Sequence, residues 1–288
     1  MTTEEPERSP RLIDKAPRAA IVRRDPILEL ASVDRRVPSE APTPAAAATA
    51  DASIPTGITG LDQVIDGLPR GSSMLLIGAA GSGKTVFSLH FANNACLRRL
   101  RTVILTTAQS ASKSREQAKQ FGWDLEAHEK NGLLAIVELA EVQASRIELT
   151  ARRGIGSKNG NFTELLRYLP AGLDILVMDS LSGYAAGLSQ KELHDGLGFF
   201  IQSLGGRGIT SLLLMENNAA GGCKDLALCT VQGAIRLFKW DNPRTGSRQN
   251  VMDILKMGNV KTPVHFLTYD IDPGGFEARS LEDSPFGD

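Results

Sequence analysis

The run Ser73-Met74-Leu75-Leu76-Ile77, then GAAGSGKT at residues 78–85, then Val86-Phe87-Ser88-Leu89-His90-Phe91-Ala92 decides how the chain is read. A short run apolar on both faces reads as a strand buried between two layers, and the stretch from Lys84 onward has helix length. Between them, Gly78-x4-Gly83-Lys84-Thr85 fits the P-loop pattern in the context that pattern requires. Its glycines let the loop Gly78, Ala79, Ala80, Gly81, Ser82, Gly83 curl so that successive backbone N–H groups face inward. The helix N-terminus adds partial positive charge toward bound phosphates. Lys84 would then reach the β- and γ-phosphates of a nucleotide, and the Thr85 hydroxyl would ligate Mg2+. ATP and Mg2+ are the expected cofactors.

Working outward, the apolar runs 73–77, 102–107, 133–139, 174–179 and 210–216 alternate with candidate helices at 84–100, 112–121, 161–169 and 191–204. That rhythm predicts an α/β fold, a mostly parallel central sheet flanked by helices. After Gly233 it shortens to AIRLFKW, NVMDILKM and HFLTYDID with Asn-Pro and Gly turns, the mark of C-terminal antiparallel strands extending one sheet edge. Residues 1–53 mix prolines, an Ala-rich run and charges of both signs, and read as a disordered tail that cannot bury enough apolar surface to order itself. Within it, Ile21, Val22, Ile27, Leu28 and Leu30 form an apolar island that could dock a protein partner or a neighbouring subunit. Residues 54–273 read as one ATP-binding domain, and 274–288, rich in acids, as a short solvated tail.

A second acid must hold the magnesium through its water shell, and it should end a buried strand beside the loop. Asp179, closing Ile175-Leu176-Val177-Met178, is that acid. Two further strand runs lie between the P-loop and Asp179, so the strands bearing them should flank an inserted one. That spacing favours the RecA and AAA side of the P-loop proteins.

The stretch IPTGITGLDQVIDGLPRGSSMLLIGAAGSGKT, with Gly-Ile-x-Gly-Leu-Asp, Gly-Leu-Pro-x-Gly and the P-loop in that order, resembles the opening of KaiC-like ATPases of the RecA superfamily. Phe121-Gly122-Trp123-Asp124-Leu125 is similar too, and the resemblance runs from about residue 54 to 272. It implies a RecA-like P-loop NTPase fold, and a homo-oligomer, ring or filament, with nucleotide at subunit boundaries. It also exposes two departures. KaiC domains place a Glu-Glu pair just after the second strand to activate water, and here Ala108 and Gln109 stand there. Glutamine can orient a water but cannot take its proton. Relatives also carry a Lys-x-Arg that reaches a neighbour's γ-phosphate; Lys256-Met257-Gly258 keeps the lysine, a candidate nucleotide contact in trans, and lacks the arginine. Glu216, at a strand end where relatives hold a γ-phosphate-sensing polar residue, and Gln109 are the candidate catalytic groups. Arg244 or Arg248 could replace the missing arginine.

These residues lead to a Mg-ATP-binding regulatory or assembly switch with slow turnover. The alternative is a DNA recombination or repair accessory. Its loops SLSGYAAGLSQ and NNAAGGCKDLALCT hold one lysine, Lys224, and one aromatic, Tyr184, which is meagre for phosphate tracking and base stacking. The basic loop 151–160 reads as a solvated connection, and Arg98, Arg99 and Arg101 answer a helix dipole. A formal net charge of −1 gives no general attraction to nucleic acid or acidic membranes. Three cysteines without a CxxC pair, an acidic start and no stretch apolar enough to enter a membrane make a cytoplasmic setting the expectation. The four histidines lack metal-ligand spacing.

Overall fold

The structure is a computed structural model and describes residues 52–107, 109–139, 162–186, 188–219, 222–241, 246–258 and 266–280. The proposed N-terminal tail up to Asp51, Ala108, the basic loop 151–160, Arg244, His265 and residues 281–288 lie outside the described residues. The elements that position the P-loop are β3 (Ser73–Gly78), α2 (Lys84–Leu97), β4 (Thr102–Thr106), α3 (Ala111–Gln120), β6 (Ile175–Asp179) and β7 (Thr210–Glu216), with α1 (Thr59–Ile65) on the approach. Around them lie β1 (Ser53–Ile54), β2 (Leu68–Pro69), α4 (Leu125–Lys130), β5 (Leu134–Glu138), α5 (Phe162–Tyr168), α6 (Leu181–Ala185), α7 (Gln190–Gly206) and α8 (Cys223–Thr230). The chain continues through β8 (Gly233–Asp241), β9 (Arg248–Met257), β10 (Leu267–Asp272) and β11 (Gly275–Ser280).

Among the described residues the main sheet has nine strands in the order β11-β10-β9-β8-β3-β7-β6-β4-β5, parallel from β8 to β5 and antiparallel from β8 to β11. The α/β architecture expected from the alternating runs is therefore present. So is the inserted strand: β7 lies between β3 and β6. The uninterrupted apolar runs are explained by two cores, one on each face. Met74 and Leu76 of β3 and Val177 of β6 join Phe87 and Phe91 of α2 on one face; Leu75, Ile77, Leu176 and Met178 join Leu197 and Phe200 of α7 on the other. A strand with period-two side chains feeds both cores when successive positions are apolar, and the buried Ser73 and Ser211 of β3 and β7 are accommodated by hydrogen-bonding to each other at 2.7 Å.

Residues 275–280, expected as part of a solvated tail, instead form β11, and the domain extends at least to Ser280. Phe276 and Ala278 are buried, the Phe276 ring stacking on Tyr269 at 4.6 Å and meeting Phe87 edge-on at 5.3 Å. Two apolar residues one apart suffice for an edge strand covered on one face. The Phe276 N–H donates to Nδ1 of His90 at 3.2 Å, tying the hairpin to α2.

The opening motif has a mechanical role. The Asp62 carboxylate accepts from the Thr56 N–H at 2.8 Å, the Thr56 hydroxyl at 2.7 Å and the Gly57 N–H at 3.0 Å, closing the turn into α1. A methyl group at Gly60 would stand 1.8 Å from the Ala278 carbonyl oxygen, so α1 can lie against β11 only with glycine there.

Gly60→Ala is accordingly expected to destabilise the domain by about 2 kcal/mol through displacement of β11, read as a lowered urea midpoint. His90 gives a second expectation. Burial lowers its pKa from the ordinary 6.5, opposed by the nearby Asp62 charge, so as pH drops below that value the unfolded chain takes up the proton before the native one does. Stability present above pH 6.5 is lost on acidification. His90→Gln should flatten the fall in Tm between neutral and mildly acidic pH; an unchanged slope would remove His90 as its cause.

Candidate functional site

β3 ends at Gly78 and α2 begins at Lys84, leaving the loop at the carboxyl end of the parallel strands, where an open α/β sheet forms its crevice. Gly81 and Gly83 have φ of +75° and +88°, and a Cβ on Gly83 would stand 2.5 Å from Ile271 Cδ1. The loop thus needs glycine at Gly83 for backbone shape and for clearance from the β10–β11 hairpin. Tyr269 of β10 clamps it from outside, its hydroxyl donating to the Ser82 carbonyl at 2.8 Å.

Lys84, 7% exposed, is turned back under the loop. Its Nζ donates to the carbonyl oxygens of Gly78 and Ala79, both at 2.9 Å, and lies 3.0 Å from Glu216 Oε1. Glu216 is delivered by the β3–β7 pairing, which sets it opposite Gly78. One residue along α2, the Thr85 hydroxyl donates to Asp179 Oδ2 at 2.8 Å. Burial raises the Asp179 pKa; the Thr85 hydrogen bond and the Lys84 charge oppose that rise, and the Glu216 charge adds to it. An ammonium, a hydroxyl and two carboxylates therefore converge beside inward-curled backbone. Their arrangement can pair with a polyanion and its divalent counter-ion.

The remaining candidates are placed differently. Gln109 lines a cavity of about 460 Å³ together with Thr85, Lys113, Glu116, Gln117 and Gln120. Its amide nitrogen donates to Ser114 Oγ at 2.9 Å and Gln117 Oε1 at 3.4 Å, holding the side chain on α3. Lys256 lies on β9 and donates to the Leu228 carbonyl at 2.7 Å, at the C-terminal turn of α8, where the helix dipole favours a cation. Within this one chain it is a helix cap. Arg248 forms a paired contact with Asp241 at 2.7 and 3.0 Å across the β8–β9 hairpin. Ala79, Ala80, Gly81 and Ser82 fall in the loop as expected. Tyr184, the aromatic of the loop after β6, is buried and meets the Phe162 ring edge-on at 5.1 Å.

Two features of the site were not foreseen: the Tyr269 clamp and the direct Lys84–Glu216 pair. The clamp left a faint trace, an alternation of Leu267, Tyr269 and Ile271 in HFLTYDID. The pair left none, because it depends on the register of β3 against β7.

With this geometry in view, comparison with known proteins is direct. The family model described as the KaiC ATPase matches residues 54–282. The chain belongs to the KaiC family of ATPases. Membership carries with it a nucleotide-binding, RecA-like domain. Among curated relatives, a UPF0273 protein of Methanopyrus kandleri is 35% identical over 86 residues, 30% of this chain and 34% of that protein. The circadian clock protein KaiC3 of Synechocystis is 27% identical over 163 residues, 56% of this chain and 32% of that protein. The chain thus spans about a third of the length of these relatives. The crystal structure of a KaiC-like protein from Pyrococcus horikoshii superposes with a TM-score of 0.61 at 23% identity, covering 78% of this chain and 98% of that one, and shows the shared fold.

Asp179 yields a prediction that separates site from scaffold. Its pKa, raised chiefly by burial, means that the fold itself disfavours the ionised form, so without nucleotide Asp179→Asn should raise Tm by a few degrees. The same change should weaken nucleotide binding more in Mg2+ than in EDTA. A fall in Tm with unaltered Mg2+ dependence would count against the assignment.

Proposed function

We propose that the chain binds Mg-ATP in the 78–85 loop and acts as a nucleotide-dependent regulatory or assembly switch with slow hydrolysis. The observation that supports this reading is the convergence of Lys84, Thr85, Asp179 and Glu216 on a loop whose Gly83 takes positive φ and has no clearance for a side chain. Lys84 would exchange the Glu216 carboxylate for the β- and γ-phosphates. Thr85 would ligate magnesium, with Asp179 acting through its water shell. The metal supplies charge neutralisation between the phosphates; the loop N–H groups and Lys84 orient them.

Slow turnover follows from what the site lacks. Gln109 is bonded to Ser114 and Gln117 and carries no basic group, and Gly258 stands where KaiC-like relatives carry an arginine. Loss of an arginine finger alone costs about 10³ to 10⁵ in rate where it has been measured. Among the described residues Glu216 is the carboxylate paired with Lys84, and whatever proton transfer occurs would fall to it. Nucleotide at subunit boundaries, with Lys256 exchanging its helix for a neighbour's phosphate, is the assembly half of the proposal, and the N-terminal apolar island is its candidate docking segment. The DNA-handling alternative loses support because Tyr184 is buried.

Equilibrium binding and steady-state turnover test this together. Wild type should bind Mg-ATP and turn over well below about one per second, against a median of about 10 per second for enzymes. Lys84→Ala should lose binding by about 100-fold, and Ala108→Glu with Gln109→Glu should raise turnover. Turnover of about one per second or faster in wild type, abolished by Lys84→Ala, would overturn the slow-switch reading.

A further inference from the structure

Bordering Glu216 lies a cavity of about 500 Å³ between α6, the start of α7 and the segment after β7. Its volume falls in the range of ligand sites. Leu188, Leu193 and Ala219 supply apolar wall, Ser182 a hydroxyl, Asn218 an exposed amide at the mouth, and Glu216 the single charge among its lining residues. Ser182 is itself fixed to the strand end, its Oγ accepting from the Glu216 N–H at 3.4 Å. The Glu216 side chain is 38% exposed and is shared between two compartments: it pairs with Lys84 on one side and borders the cavity on the other.

We propose that this cavity receives the lysine or arginine side chain of a partner polypeptide, and that its occupation and nucleotide binding reinforce each other. An apolar wall suits the aliphatic stem of such a side chain, with the charged head directed to the Glu216 carboxylate. Among the described residues the lining holds no cation, so its one charge, Glu216, favours a cationic ligand over an anionic one. The amide of Asn218 at the mouth can pair with peptide backbone groups, which favours a side chain on a polypeptide over a free amine. The coupling rests on the nucleotide-binding reading above. When Lys84 turns to phosphate, Glu216 loses its partner and faces a polyanion, an arrangement that Coulomb repulsion disfavours. A cation arriving through the cavity relieves it. By reciprocity, a cation already paired with Glu216 releases Lys84 for the nucleotide.

The test uses the whole chain and two probes, the blocked tripeptide acetyl-Ala-Arg-Ala-amide and butylguanidinium chloride, with sodium chloride at matched ionic strength as control. Amide NMR shifts without nucleotide should move at Ser182, Leu188 and Ala219, and the tripeptide should bind more tightly than butylguanidinium. Saturating tripeptide should tighten Mg-ATP binding about fivefold or more. Ala219→Trp, which fills the cavity while keeping the Glu216 carboxylate in the chain, and Glu216→Gln should each abolish that gain. Shifts scattered elsewhere, or equal binding of the two probes, would overturn the peptide site. Unchanged or weakened ATP affinity, or a gain that survives Ala219→Trp, would overturn the coupling. Absence of Mg-ATP binding in every sample would instead mark failure of the nucleotide reading and take the coupling with it, while the NMR shifts still decide the cavity.

Discussion

The structure depends on how it keeps a lysine ammonium nearly out of water. A buried charge is tolerated only when paired and hydrogen-bonded, and Lys84 meets that condition with two loop carbonyls and the Glu216 carboxylate. Each acceptor imposes something on the fold. The carbonyls of Gly78 and Ala79 fix the loop as an inward curl, which Tyr269 braces from the hairpin. Glu216 requires β7 beside β3, and Thr85, next along α2, requires β6 close enough to offer Asp179. The strand order β3-β7-β6 is thus the scaffold for four side chains.

The same constraint shapes the function proposed. Lys84 is paired within the chain itself, so a nucleotide would have to offer it more than Glu216 does, and the displaced carboxylate would become a negative charge needing a new partner. That makes Glu216 the point at which phosphate on one side and the cavity on the other can sense each other. Gln109 is held on α3 and Lys256 caps α8, and the proposed slow turnover rests on those placements. On that proposal the protein would report the presence of nucleotide more readily than consume it.

Much of this was legible in the residues. Apolar runs at 73–77, 174–179 and 210–216 named three strands because burial on both faces leaves few polar positions, and the P-loop and Asp179 were singled out by chemistry that few residue types can perform. What was not legible depends on tertiary register. β11 has only Phe276 and Ala278 to mark its buried face, among acids and glycines that suggest a tail. The helical turn of α6 that buries Tyr184 follows from packing on Phe162. Lys256 and Glu216 were recognisable as candidate site residues, but the partners they hold in this fold are set by strands and helices distant in sequence.

The most direct measurement is the mass of the full chain in solution with Mg-ATP, with phosphate release followed in the same sample. Mass that rises on addition of Mg-ATP, while phosphate accumulates far more slowly than assembly proceeds, is the result this account predicts. Rapid phosphate release from a species of constant mass would contradict it.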